Sequence, residues 1–281
     1  MRATRADGSA IAFELFGDRG GAPLVLSHGL SDSRRSARIL DATARDLGLL
    51  VIAPDRPGVG LSDPRRLDRL VDWGDDAVVV LAALGLDAAS VIGISGGGPF
   101  AAALAATYPA RVRGLVLVSS LGMVEWGTSG MAPGERFSLA LAQQLPGFSG
   151  WCLGRLAALS RSSPRLFIEI VRVELAQVDR DALRGGEERD VFIESYREAF
   201  RQGSEGVAQD LRLLTRPWGF DLGAITAPTW VHHGEADTTV PPAHARRLAE
   251  AIPGAHLRLH PRHFSLLPGE LTETLSGVRE L

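Results

Sequence analysis

The pentapeptide Gly93-Ile94-Ser95-Gly96-Gly97 sets a serine between glycines, a spacing that can present its hydroxyl as a nucleophile. Its flanks supply the context. The run Ala89-Ser90-Val91-Ile92 predicts a buried strand before it, and the Ala-rich stretch from Gly98 to Ala106 predicts a helix after it. Pro99 suits the first turn of that helix, where its missing N–H would find no partner anyway. Strand, G-x-S-x-G, helix is the arrangement that lifts a serine out of a sheet on a strained turn. Gly93 and Gly97 let strand and helix approach closely around it. Alone, so short a pattern also describes an incidental serine in a glycine-rich turn, so the rest of the chain has to decide.

A serine hydroxyl needs a base to take its proton, and the chain has seven histidines. His263 follows the last predicted strand within Pro261-Arg262-His263-Phe264-Ser265, in a loop on the sheet edge expected to carry Ser95. His28 reads as a brace for the turn it opens, His232 and His233 end a strand, and His244 sits in a helical surface pattern. His256 and His260 flank the last strand and read as structural. Together with His263 they invite a metal reading, but no cysteine or H-E-x-x-H motif accompanies them, and the strand would have to end between the ligands. The base needs a carboxylate to hold its tautomer. Asp237, in the turn-rich loop from His233 to Pro241, fits best. Glu235 in the same loop and Glu125 after an earlier strand are the alternatives. An acyl-transfer site also needs two N–H groups for an oxyanion. Gly96 supplies one at the helix N-terminus, and the loop Ser27-His28-Gly29-Leu30-Ser31-Asp32 is expected to supply the other through Leu30.

These residues need a sheet that brings three loops to one edge. Short apolar runs alternate with helical patterns, as in a mostly parallel sheet covered on both faces. Predicted strands are Ile11–Phe16, half-exposed, then Pro23–Ser27, Leu49–Ala53, the strand before Ser95, Leu115–Ser119, Thr229–His232 and Leu257–Leu259, with helices around Arg34–Leu47 and Leu67–Leu84. Between Ser119 and Ala227 the alternation stops. That interval holds helical patterns such as Arg165–Val178 and Glu187–Gln202 and no convincing strand. It reads as a helical cap, residues 121–216, inserted into an α/β core made of residues 1–120 and 217–281. Such a cap would cover the sheet edge where ligands bind in open α/β folds.

The 281 residues are 45% hydrophobic and 22% charged, with a net charge of −3, a balance that gives no reason to expect a nucleic-acid partner. No apolar run reaches membrane-spanning length, and the N-terminal residues lack the apolar core of a signal peptide, so a cytoplasmic protein is the expectation. The single cysteine, Cys152, cannot form an internal disulfide. The chain has no lysine, which excludes lysine-based chemistry such as a lysine Schiff base. No metal cage and no flavin or nicotinamide fingerprint is found, so no cofactor is expected, and the expected partner is a small molecule.

Taken together, His28-Gly29-Leu30, the run Asp55-Arg56-Pro57-Gly58-Val59-Gly60-Leu61-Ser62, the 93–97 pentapeptide, the loop 233–241 and His263-Phe264-Ser265 resemble the α/β-hydrolase superfamily, in its capped esterase and lactonase branch. The likeness covers the chain outside the cap, and the order Ser95, Asp237, His263 is that family's order. It implies an α/β-hydrolase fold and a serine hydrolase acting on a carboxylic ester or lactone. The 55–62 run matches the D-R-P-G-x-G-x-S form of a family loop and reads as structural, beside the pocket. Ile94 differs from the His or Trp that some lipases and aminopeptidases of the fold carry there, and a serine nucleophile sets the chain apart from the epoxide hydrolases and haloalkane dehalogenases. The same constellation also serves carbon–carbon bond hydrolases, lyases and cofactor-free oxygenases, the second reading. A ligand-binding protein with a vestigial triad is the third. Phe137, Phe148, Trp151, Phe167 and Phe192, spread along the cap, are expected mostly in its core, with one or two facing an apolar substrate.

Overall fold

The structure is a computed structural model that describes residues 1–174, 183–261 and 272–275. Its strands are β1 (Arg2–Thr4), β2 (Ala10–Gly17), β3 (Ala22–Ser27), β4 (Leu49–Pro54), β5 (Ala89–Ile94), β6 (Val112–Val118), β7 (Thr229–Gly234) and β8 (His256–His260). They form one sheet in the order β1-β2-β4-β3-β5-β6-β7-β8. β1 and β2 pair antiparallel with their neighbours, and every pairing from β4 to β8 is parallel. This is the α/β-hydrolase fold that the motifs implied.

The strand sequences explain the layers. Side chains alternate faces along a strand, so Val25, Ile52, Val91 and Leu115 enter one core while Leu24, Val51, Ile92 and Val116 enter the other. Both faces are covered, and β4 and β5 are therefore buried along their whole length. The first core is closed by α2 (Trp73–Ala83), α3 (Gly98–Thr107) and α9 (Pro242–Ala251), and the second by α1 (Asp41–Asp46) with the 3₁₀ turns before it. From β3 the chain steps outward to β4, then returns to the other side of β3 as β5. The order reverses at this point, and Ser27 of β3 lies in register with Gly93 of β5. The loops leaving these two strands thus emerge side by side, at the position where open α/β sheets bind ligands.

Two helices begin later than the sequence pattern predicts. Residues 34–40 form 3₁₀ turns before α1, because the Arg34 amide and guanidinium are both bound to buried Asp55 and hold the chain tight. α2 starts at Trp73 rather than near Leu67. The Asp72 carboxylate accepts from the amides of Asp68 and Arg69, at 3.0 and 2.9 Å, closing a turn ahead of the helix.

Between β6 and β7 the described residues hold five helices and no strand. They are α4 (Pro133–Gln144), α5 (Pro146–Ser162), α6 (Pro164–Glu174), α7 (Glu187–Ala199) and α8 (Glu205–Leu214). Their own small core gathers Ala157, Phe167, Ile168, Tyr196 and Phe200 around Val59 of the loop after β4. Of the five aromatics expected mostly inside, Phe167 is buried and Phe192 packs on it, but Phe137, Phe148 and Trp151 are 66%, 51% and 60% exposed. Phe148 and Trp151 stack on each other at 5.6 Å instead of entering the core. Among the described residues no helix is long and apolar enough to cross a membrane.

Candidate active site

Ser95 sits directly after β5 with φ 52°, a left-handed conformation that a non-glycine residue adopts only under strain. Its neighbours enforce it. A Cβ on Gly93 would lie 2.7 Å from both Ala101 Cβ and Gly98 Cα, so only glycine lets α3 pack this close to the strand. A Cβ on Gly97 would fall on the carbonyl oxygens of Ser27 and His28. The Ser95 carbonyl accepts from the Leu121 amide at 3.1 Å, which ties the turn to the chain leaving β6.

The loop after β3 lies against this turn. Leu30 N is 3.0 Å from where a Cβ on Gly96 would stand, so the two amides expected to bind an oxyanion are neighbours. His28 is buried and braces the loop as expected. Its Nε2 accepts from the Arg56 amide at 3.3 Å, which leaves Nδ1–H to donate to the Gly29 carbonyl at 3.0 Å. Burial, with the Arg56 charge, pushes the His28 pKa well below its ordinary value, so this histidine stays neutral. Arg56 is fully buried and donates to the carbonyls of His28 and Gly29 at 2.6 and 2.8 Å and to the Asp210 carboxylate at 2.7 Å. At the far end of the loop, Asp32 accepts from the Ser33 amide and from the Ser195 hydroxyl of α7. Burial raises the Asp32 pKa.

Asp237 is buried in the loop after β7. Its Oδ1 accepts from the amides of Thr239 and Val240, both at 2.9 Å, and its Oδ2 lies 3.4 Å from His233 Nε2. Thr239 and Val240 line the same cavity as Ser95, so the structure brings the acid loop to the serine. Glu125 and Glu235 are exposed, which leaves Asp237 as the buried member of the three candidates. His263 lies outside the described residues. The described chain reaches Pro261 beside the acid loop, where the His260 carbonyl accepts from the Glu235 amide at 2.8 Å. Of the three histidines in the metal reading, His256 and His260 sit four residues apart on β8, about 13 Å at strand spacing, too far to share one ion. His260 instead stacks on His232 at 5.4 Å.

His244 departs from the expected surface position. It is buried rather than on a surface face of α9. Its Nδ1 accepts from the Gly122 amide at 2.9 Å, and its Nε2–H donates to the Gly127 carbonyl at 3.1 Å. It thereby clamps the chain leaving β6.

Above the serine is a cavity of about 450 Å³. Gly29, Leu30, Ser95 and Gly96 lie on its core side, and Leu139, Leu153, Leu156, Val171 and Phe192 of the inserted helices face them. The wall is mainly apolar, with Asp32, Glu135 and Glu188 as its charged members among the described residues. Asp32, Ser195 and Asp210 are not visible as site residues from the sequence. Their partners are far along the chain, and no local pattern marks them.

The chain belongs to the α/β-hydrolase family. A family model described as alpha/beta hydrolase fold matches residues 22–269. A 2-hydroxymuconate semialdehyde hydrolase of Pseudomonas putida is 32% identical over 74% of this chain and 68% of its own length. Among solved structures, Est816, described as an N-acyl homoserine lactone degrading enzyme, is 28% identical with a TM-score of 0.61, covering 99% of both chains. An esterase from Exiguobacterium antarcticum has a TM-score of 0.70 over 100% of this chain and 99% of its own. At 18% identity it shows the shared fold alone.

Proposed function

We propose that the protein is a serine hydrolase that cleaves a carboxylic ester or lactone of a small to medium, mainly apolar substrate. Ser95 Oγ attacks the carbonyl carbon and His263 takes its proton, while Asp237 holds the histidine tautomer and stabilises the imidazolium. The N–H groups of Leu30 and Gly96 hold the oxyanion. Collapse of the tetrahedral intermediate expels the alcohol, protonated by His263, and leaves an acyl group on Ser95. Water, deprotonated by the same histidine, then releases the acid. Residues 121–216 act as a cap that shapes the pocket and limits water. The observation that carries this reading is the strained Ser95, set beside the Leu30 and Gly96 amides on the core side of an apolar cavity. No cofactor takes part.

A fluorophosphonate probe tests it. Labelling should occur at Ser95 alone, and Ser95→Ala should abolish labelling and turnover, since loss of a triad serine costs several orders of magnitude in rate. Full activity in Ser95→Ala would sink the reading. A second reading, carbon–carbon bond hydrolysis, is favoured by the name of the Pseudomonas putida relative. Against it, the described wall carries three carboxylates and no arginine, a poor match for a carboxylate-bearing substrate. Parallel assays with neutral esters, lactones and vinylogous diketone acids separate the two.

A further inference from the structure

We infer that Arg56, held in place by Asp210 of α8, is a positioning residue that sets the oxyanion-binding N–H of Leu30. The inference rests on the serine-hydrolase reading above. A trans peptide is planar, with its C=O and N–H pointing in opposite directions. Whatever grips the Gly29 carbonyl therefore aims the Leu30 N–H. That carbonyl accepts from Arg56 Nη2 at 2.8 Å and from His28 Nδ1 at 3.0 Å, on the side away from the pocket. Arg56 Nη1 holds the preceding carbonyl, that of His28, at 2.6 Å. Two successive carbonyls on one rigid fork leave the 29–30 peptide little freedom to rotate. On its other side, Leu30 N stands over Gly96, next to Ser95.

The guanidinium is itself fixed. Its Nε donates to Asp210 Oδ2 at 2.7 Å, and its plane lies over the Phe100 ring at 4.5 Å. Arg56 and Asp210 are both buried, 0% and 1% exposed. A buried ion pair contributes little net stability over apolar side chains of similar size. A guanidinium, however, spreads five N–H donors over one rigid plane, so it grips two carbonyls and a carboxylate at fixed angles, a geometry that a lysine's three donors on one nitrogen do not match. Asp210 comes from an inserted helix, 154 residues along the chain from Arg56. The same helix meets the site twice more. Gly206 packs against Gly58, and Leu214 Cδ1 is 3.1 Å from where a Cβ on Gly96 would stand. The position of α8 is thus transmitted to the oxyanion loop through one side-chain pair, and the 55–62 run serves the site through Arg56 rather than lying inertly beside it.

The test uses three variants of the full chain: Arg56→Lys, Asp210→Asn, and the double variant Arg56→Met with Asp210→Leu, which leaves no unpaired buried charge. Each is assayed for kcat and KM on p-nitrophenyl butyrate. Each is also assayed for binding of an aryl boronic acid, which adds to the serine and places an oxygen in the oxyanion site, and of butyramide, which does not react. Loss of a whole oxyanion donor costs about 10²–10³ in kcat, so a misaimed one should cost about 10–100-fold. Boronate affinity should fall by the same factor, while KM and butyramide binding stay within about threefold. Unchanged kcat and boronate affinity in the folded variants would overturn the inference, and so would equal weakening of boronate and butyramide. Arg56→Lys keeps a charge opposite Asp210 while it loses the planar fork, so it decides the matter if the other two variants unfold the chain. If the wild-type protein neither binds the boronate nor turns over any ester, the serine-hydrolase reading fails and this inference falls with it.

Discussion

Replacing Asp237 with Asn tests the proposed acid with little disturbance to its loop. Oδ1 accepts from the Thr239 and Val240 amides, both at 2.9 Å, and an asparagine oxygen can keep both bonds. They change from charge-assisted to neutral, at a cost of about 1 kcal/mol each, so stability should fall by about 2 kcal/mol and Tm by several degrees. His233 already donates Nε2–H to the Val240 carbonyl at 2.8 Å, so it keeps a partner when Oδ2 is lost. What the change removes is a carboxylate oxygen, replaced by an NH₂ donor. Facing a histidine, that donor favours the wrong tautomer and no longer stabilises the imidazolium. In a serine protease the corresponding change lowers kcat about 10⁴-fold. A loss of at least about a hundredfold, about 2.7 kcal/mol of barrier, is expected here. The assay is steady-state ester hydrolysis between pH 5 and 9, with circular dichroism as the folding control. On the proposed mechanism, wild-type kcat/KM should rise with pH through a single ionisation near neutrality, as His263 becomes the free base. Glu125→Gln and Glu235→Gln, both at exposed positions, should change the rate by less than about threefold. If Asp237→Asn stayed within about threefold of wild type while Glu125→Gln lost activity, the acid would sit after β6 and the assignment would be wrong.

Three further outcomes are expected. Gly97→Ala puts a methyl group onto the Ser27 and His28 carbonyl oxygens, which are backbone and cannot swing aside, so it should destabilise by about 3 kcal/mol or more and slow acylation; a normal melting temperature with full activity would refute the packing argument. His232 has its pKa pushed down to about 4 by burial and by His260. Its contribution to stability is complete above the unfolded value of about 6.5 and is lost as pH falls from there towards 4, an effect of about 3 kcal/mol. Urea unfolding of His232→Gln should show a drop between pH 7.5 and 4.5 that is smaller by about 2–3 kcal/mol, the part of the effect inside that window, and an unchanged drop would count against the shift. Activity should survive exhaustive chelation; loss that one specific metal restores would reopen the histidine cluster at 256, 260 and 263.

The parts of the molecule that read correctly from sequence are those whose physics is local. The β-branched runs alternate between two cores, so the strands were visible from their apolar content alone. The elbow was visible because a strained serine needs glycines at fixed offsets, and the clashes at Gly93 and Gly97 are the reason those offsets cannot vary. The loop that carries Asp237 was visible because it is dense in turn residues after a strand. Helix starts were misread where a distant or capping side chain captured the chain, as Asp55 captures Arg34. His244 looked like a surface residue because the groups it binds, at Gly122 and Gly127, lie more than a hundred residues earlier. The aromatics of the insertion were misplaced for a related reason. A helical pattern with several apolar stripes does not say which stripe faces the sheet, and that choice was made by helices the pattern treats one at a time.

The same distinction separates the candidate chemistry from its support. Ser95, Gly96 and Leu30 announce themselves because strand-to-turn geometry dictates their residue types within a few positions. The groups that hold them do not. Ser195 meets Ser33 across 162 residues, and Asp210 meets Arg56 across 154. Each could have been another residue without altering any local propensity, since a buried hydrogen bond asks only that donor and acceptor coincide in space. Ser195 meets the loop after β3 at Ser33, and Asp210 reaches it through Arg56, which holds the His28 and Gly29 carbonyls on the other side of Leu30. An insertion that merely roofed the pocket would need apolar contacts alone. On the proposed serine-hydrolase mechanism, one that grips the loop after β3 on both sides of Leu30 ties the shape of the pocket to the aim of the Leu30 N–H. Changes in the helices that alter which substrates fit should therefore also alter kcat.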